Sequence, residues 1–161
     1  MTVERQASPA LDVRDLDVGF HTRNGTIAAL RGVSFSVGRG EVLGLVGESG
    51  SGKSLTGLAI LGLIDPPGRV TGGSIKLEGE ELLGRSETDL RKLRGRRISS
   101  IFQDPSTTLN PVLRIDTQMI EAIQAHEPVS ARAARAKATD ALAMVGIPSP
   151  AERLEAYPHQ F

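Results

Sequence analysis

Leu11, Val13, Leu16, Val18 and Phe20 are separated by polar neighbours in the period-two pattern of a strand with one buried face, but the phase slips around Arg14 and Asp15. A bulge there restores the register. Asn24-Gly25 is a strong hairpin signal, and Thr26 to Leu30 and Val33 to Val37 continue as strand, so the start of the chain reads as antiparallel sheet. The pattern changes after Glu41. Val42, Leu43, Leu45 and Val46 form a near-continuous apolar run, which predicts a parallel-sheet strand buried on both faces. Glycines end it, and from Lys53 to Ile64 the apolar spacing is helical until Pro66-Pro67-Gly68 stops it. Beyond the prolines, Gly73 to Leu77 reads as strand, Glu87 to Leu93 as a short helix with Ser86 as N-cap, and Ile98 to Phe102 as another strand. Pro105, Asn110 and Pro111 mark an irregular stretch. Thr117 to Ala125 and Ser130 to Val145 then read as helices, the second closed by Gly146, with Ala134, Ala138, Ala141, Leu142 and Val145 as a stripe assigned to packing within the chain. No internal repeat and no long linker interrupts this order.

Composition narrows the class by exclusion. The 161 residues carry 19 Lys+Arg against 19 Asp+Glu, a balance that lacks the basic footprint of a general nucleic-acid binder. No apolar run reaches the roughly 18 residues of a membrane span. The absence of Cys removes thiol nucleophiles, thiolate metal sites and disulfides. Met1 to Pro9 has no apolar signal-peptide core, which makes a cytoplasmic site the expectation.

Gly47-Glu48-Ser49-Gly50-Ser51-Gly52-Lys53-Ser54 fits G-x-x-x-x-G-K-[ST] in full. A polyphosphate is wrapped by backbone N–H groups only if the chain curls tightly, and Gly47, Gly50 and Gly52 supply that freedom. The helix that follows aims the N–H groups and positive dipole end of its first turn, through Leu55, at the same anion. Lys53 adds a mobile charge for the β- and γ-phosphates, and the Ser54 hydroxyl is placed for Mg²⁺. The plain alternative is a glycine-rich turn with a solvated lysine. By itself the loop specifies a nucleotide binder and no more, since kinases, motors, GTPases and transport ATPases all use it.

Three further segments resemble one family. Ile98-Ser99-Ser100-Ile101-Phe102-Gln103-Asp104-Pro105 with Ser106-Thr107-Thr108-Leu109-Asn110-Pro111 resembles the Q-loop region of ABC ATPases in the form found in the oligopeptide, dipeptide and nickel importer branch. Tyr157-Pro158-His159-Gln160-Phe161 resembles the run leading into that branch's signature motif, and Glu48 and Leu30-Arg31-Gly32-Val33-Ser34-Phe35 are similar to it as well. The resemblance implies an α/β fold of the P-loop NTPase type, an ABC nucleotide-binding domain with an N-terminal antiparallel β part and a partial helical subdomain. A leader over 1–10 would precede a domain over 11–161. Within it, 11–46 would be the β part and phosphate-loop strand, 47–64 the loop and its helix, 65–116 the strands and Q-loop, and 117–161 the helical subdomain.

It further implies ATP and Mg²⁺ as cofactors and roles for single residues. Phe20 matches the aromatic that stacks on adenine, the competing assignment being core packing. Gln103 matches the Q-loop glutamine, whose amide reaches Mg²⁺ or the attacking water, which would make Lys53 and Gln103 the catalytic pair. Implied partners are transmembrane permease subunits, a second ATPase subunit in a homo- or heterodimer and, indirectly, a solute-binding protein, with no nucleic acid. The implied location is the cytoplasmic face of the plasma membrane, peripheral through the permease.

The family pattern continues into a signature Ser-Gly-Gly, an acidic strand end and a switch histidine that these residues do not include. The expectation is therefore an N-terminal portion of an ATPase that folds poorly alone and does not hydrolyse ATP by itself. Competing functions are a nucleotide-binding module without turnover and a small-molecule P-loop kinase, which the FQDP setting of Gln103 disfavours. The basic cluster Arg91-Lys92-Leu93-Arg94-Gly95-Arg96-Arg97 reads as a solvated helix end without a function, and His21, His126 and His159 lack the spacing of a zinc site.

Overall fold

The computed structural model describes residues 8–102 and 108–161. They fall into two compact units, one ending at Ile98 and one beginning at Ser99.

In the first unit, β1 (Leu11–Thr22) pairs antiparallel with β2 (Gly25–Val37) on one side and with β3 (Gly68–Leu77) on the other, and the short β4 (Glu80–Glu81) completes the order β2-β1-β3-β4. The hairpin turns at Arg23 and Asn24, with Thr22 facing Gly25, one residue ahead of the predicted Asn24-Gly25 pair. The slip is a real bulge: Val13 faces Phe35 and Leu16 faces Val33, so Arg14 and Asp15 stand opposite Ser34 alone. Asp15 takes a positive φ of 45°, its N–H donates to Ser34 Oγ at 2.7 Å, and two residues on Asp17 Oδ1 accepts from the Gly32 N–H at 2.7 Å. Side chains thereby satisfy backbone groups that the interrupted ladder leaves over. The extra residue brings Val13, Leu16 and Val18 into one core with Leu30, Ile75, Leu77, Leu82 and Ala59.

Ala59 belongs to α1 (Lys53–Leu61), which ends earlier than the prolines suggest. Gly62 adopts the left-handed conformation (φ 64°), and its N–H and that of Leu63 bond back to Ala59 O and Leu58 O at 3.1 and 2.8 Å, the glycine cap of a helix C-terminus. α2 (Glu87–Leu93) has the predicted bounds, with Ser86 Oγ accepting from the Asp89 N–H at 3.2 Å.

Two expected strands do not form. Among the described residues nothing pairs with 41–46, and Val42 and Val46 are 95% and 94% exposed. A run that is apolar on both faces becomes a strand only where neighbours take up its N–H and C=O groups and cover it. Ile98 to Phe102 likewise forms no strand. Ile98 makes a single bridge with Arg94, and Ile101 is fully exposed.

The second unit is helical: α3 (Ile115–Gln124), α4 (Ala131–Met144) and α5 (Pro150–Arg153) precede a 3₁₀ turn at Pro158–Gln160. Ser130 caps α4, its hydroxyl accepting from the Ala133 N–H, and Gly146 follows its end with φ 77°. Ala134 and Ala138 are fully buried and Leu142 packs beside them, as the stripe predicts, whereas Val145 is 72% exposed. Small side chains let α3 approach α4 closely, and Leu154 closes the core. Buried Asp116 ties the layers together. It accepts from Arg135 Nη1 at 2.6 Å and Arg114 Nη2 at 2.8 Å, and Arg135 also reaches Glu155 at 2.8 Å. No helix among the described residues is long and apolar enough to cross a membrane.

Candidate nucleotide site

The Gly47–Ser54 segment leads from the extended run into α1, and Gly52 sets its curvature. Its φ of 91° lies in the left-handed region, and a Cβ there would stand 2.3 Å from Leu30 Cδ2. Backbone conformation and close approach to β2 both require glycine. From α1 the Thr56 hydroxyl donates to Gly52 O at 2.9 Å, and the Thr56 N–H to the same oxygen at 2.8 Å. The loop is thus fixed to the helix that carries Lys53.

The N-terminus of α1 has neither a side-chain cap nor an acidic residue in its first turn. Its free N–H groups and the positive end of its dipole face the loop without an internal anion. The Lys53 ammonium folds into the loop, donating to Gly47 O at 2.7 Å, Glu48 O at 2.8 Å and Ser51 Oγ at 3.1 Å. All three are neutral acceptors, weaker partners for an ammonium than a phosphate oxygen. A polyphosphate would take Lys53 from them. A Cβ on Gly47 would lie 2.7 Å from Ser51 Oγ, so the curl closes tightly at this end too.

The structure therefore brings Gly47, Glu48, Ser51, Gly52 and Lys53 together. Ser49, Gly50 and Ser54 are exposed on the loop and first turn, and Leu55 packs against the core. Phe20 is half-buried and packed against the same core, its ring edge 2.7 Å from where a Gly68 Cβ would stand. Its neighbour Val18 pairs with Leu30, the residue that walls Gly52, so Phe20 lies a short way along β1 from the loop. Gln103 lies outside the described residues.

Sequence pattern missed two contributors. In the sequence Leu30 is one strand residue among several, yet it dictates Gly52. Arg94 lies in the cluster that reads as a solvated helix end, which suits exposed Arg91 and Lys92 but not this side chain. Arg94 is 19% exposed, donates Nε to Leu61 O at 2.7 Å and Nη2 to Gly62 O at 3.0 Å, and forms a two-pronged ion pair with Glu87 at 2.5 and 3.1 Å. The hydrogen bond from Arg94 holds the Glu87 carboxyl below its usual range. The available signal was in α1 itself, which has no basic residue in its last turn.

Antiparallel sheet, phosphate loop and helical unit define the class as a P-loop α/β nucleotide-binding domain. The ABC transporter family profile matches residues 30–161. The chain belongs to that family. It is 45% identical over 94% of its length to the oligopeptide transport ATP-binding protein OppD of Bacillus subtilis (strain 168), covering 42% of that protein. It is 47% identical to the dipeptide transport ATP-binding proteins DppD of Bacillus subtilis (strain 168) and Escherichia coli (strain K12), over 94% and 93% of this chain and 45% and 46% of theirs. The chain thus spans slightly under half the length of these relatives. Among solved structures, the ATP-binding cassette MJ0796 in a dimeric post-hydrolysis state bound to ADP and Pi matches with a TM-score of 0.75 at 20% identity, over 94% of this chain and 62% of that one. At that identity the likeness bears on the fold.

Proposed function

We propose that the chain is the nucleotide-holding portion of an ATP-binding subunit that powers import of peptides, or of nickel, through membrane partners. One observation carries the reading: Lys53 is held inside a glycine-curled loop at an anion-ready helix N-terminus. The names of the 45% and 47% identical relatives support peptides as the substrate class, and nickel rests on the sequence resemblance alone. In this reading the loop N–H groups from Gly47 to Leu55 bind the phosphates, Lys53 neutralises the β- and γ-phosphates and Phe20 contacts the adenine. The residues present fit Mg²⁺ through the exposed Ser54 hydroxyl beside the phosphate position, and the bound ion would offset charge developing on the phosphates. Gln103 is the proposed second contact to the ion or the attacking water.

Permease subunits, a second ATPase subunit and, indirectly, a solute-binding protein are the proposed partners. The proposed location is the cytoplasmic membrane face, peripheral through the permease. Phosphoryl transfer to water needs a carboxylate that holds the metal and a group that orients the water. Gln103 serves the second task in this reading, but neither Lys53, Ser54 nor Gln103 is a carboxylate, so the 161-residue polypeptide by itself is proposed to bind ATP without turning it over.

Calorimetric titration of this polypeptide with Mg-ATP tests the reading. Saturable binding that Lys53→Ala abolishes supports it, and an affinity unchanged by that substitution refutes it. Steady-state phosphate release well above background would refute the absence of turnover. In an intact related subunit, substitution of the residue matching Gln103 by Ala should uncouple hydrolysis from transport more than it weakens ATP binding.

A further inference from the structure

α1 is nine residues long, about 13 Å at 1.5 Å per residue, and it is the lever on which Lys53 and Ser54 stand. Its N-terminal end is pinned by Thr56 on Gly52 O and by Leu30 against Gly52. At the other end a helix leaves its last carbonyls without intrahelical donors and carries partial negative charge. Gly62 and Leu63 satisfy Ala59 O and Leu58 O. Among the described residues no backbone N–H reaches Leu61 O or Gly62 O, and α1 has no cation of its own in the last turn.

The guanidinium of Arg94 takes both carbonyls, and Glu87, the first residue of α2, grips the same group from the other side. Leu90, also on α2, packs against Gly62 so closely that a Cβ there would meet its Cδ1 at 2.8 Å. A planar fork that binds carbonyls and a carboxylate together fixes direction as well as charge, which a flexible ammonium does not.

We propose that Arg94 is a positioning residue for phosphate binding: held by Glu87, it caps the C-terminus of α1 from outside and sets the axial position of Lys53 in the phosphate loop. The proposal rests on the nucleotide reading of that loop. Since Arg94 touches no phosphate, its effect reaches the site through the helix alone.

The test compares Mg-ATP and adenosine binding by the full 161-residue chain carrying Arg94→Met, Arg94→Lys, Glu87→Gln or Lys53→Ala. Arg94→Met is expected to weaken Mg-ATP binding about tenfold, the scale of a lost charge-assisted contact, while adenosine binding and the far-ultraviolet circular dichroism stay unchanged. Arg94→Lys restores part of the loss, and Glu87→Gln, which keeps the carbonyl bonds but loosens the grip, causes a smaller loss of the same phosphate-dependent kind. If Arg94→Met fails to fold, Arg94→Lys and Glu87→Gln decide. Wild-type Mg-ATP affinity in a folded Arg94→Met chain, or equal losses for Mg-ATP and adenosine in any folded Arg94 or Glu87 variant, overturns the proposal. Failure of the unsubstituted chain to bind Mg-ATP removes the loop reading and the proposal together, and is recognised because Lys53→Ala then changes nothing.

Discussion

Gly52 and Gly57 lie five positions apart around one helix, and replacing each by alanine should have opposite effects. At Gly52 an alanine would occupy a backbone with φ +91°, which costs an L-residue about 1–2 kcal/mol. Its methyl would also stand 2.3 Å from Leu30 Cδ2, far inside contact distance. Leu30 is 4% exposed and belongs to the core with Val18 and Ala59, so it has little room to yield, and overpacking of this kind costs about 1–3 kcal/mol. Together these predict a loss of about 2–5 kcal/mol if the loop keeps its shape. If the loop shifts to relieve the clash, the Lys53 bonds to Gly47 O and Glu48 O are disturbed and the loss moves into ATP affinity. Gly57 is exposed in the interior of α1, with nothing within 4 Å of the new methyl, so alanine there should stabilise by about 0.5–1 kcal/mol through helix propensity and a less flexible unfolded chain. Urea unfolding followed by circular dichroism, with Mg-ATP titration of each folded variant, reads both effects. A Gly52→Ala chain with the parent's denaturation midpoint and the parent's affinity would refute the reasoning, as would a Gly57→Ala chain less stable than Gly52→Ala.

Two predictions concern the remaining elements. Burial alone would raise the Asp116 carboxyl, but the hydrogen bond from Arg135, the Thr117 N–H and the charge of Arg114 outweigh it and hold the group below its ordinary 3.8. Its contribution is therefore complete above pH 3.8 and is lost as pH falls below that value, so acid unfolding of the wild type should show a component in this window that Asp116→Asn removes. Ser86→Ala removes the acceptor for the Asp89 N–H and the donor to Asp89 Oδ2 and should cost about 1 kcal/mol, read as a shift in the urea midpoint that Ser86→Thr, which keeps the hydroxyl, does not produce.

The elements legible in the sequence are those whose determinants are local. Asn24-Gly25 locates the turn to within one residue, Ser86 and Ser130 cap with their own hydroxyls, and the phase slip at Arg14 and Asp15 has one cheap remedy, which the structure adopts. The glycine-lysine loop was legible for the same reason, since Gly50 and Gly52 take positive φ values and Gly52 a close approach that glycine alone allows. What escaped depends on distant partners. Arg94 stands in a run of like charges, and nothing in that run distinguishes the guanidinium that crosses to Leu61 O and Gly62 O from its solvated neighbours; the gap it fills is visible only as a cation missing from α1. The run from Val42 to Val46 is the converse case. Its apolar pattern predicts a strand between other strands, but pattern describes a requirement and pairing needs a supplier, so among the described residues it forms no strand and stays uncovered. The loop, by contrast, is held by its own local chemistry. The loop, Lys53 and α1 hold one another through bonds already in place.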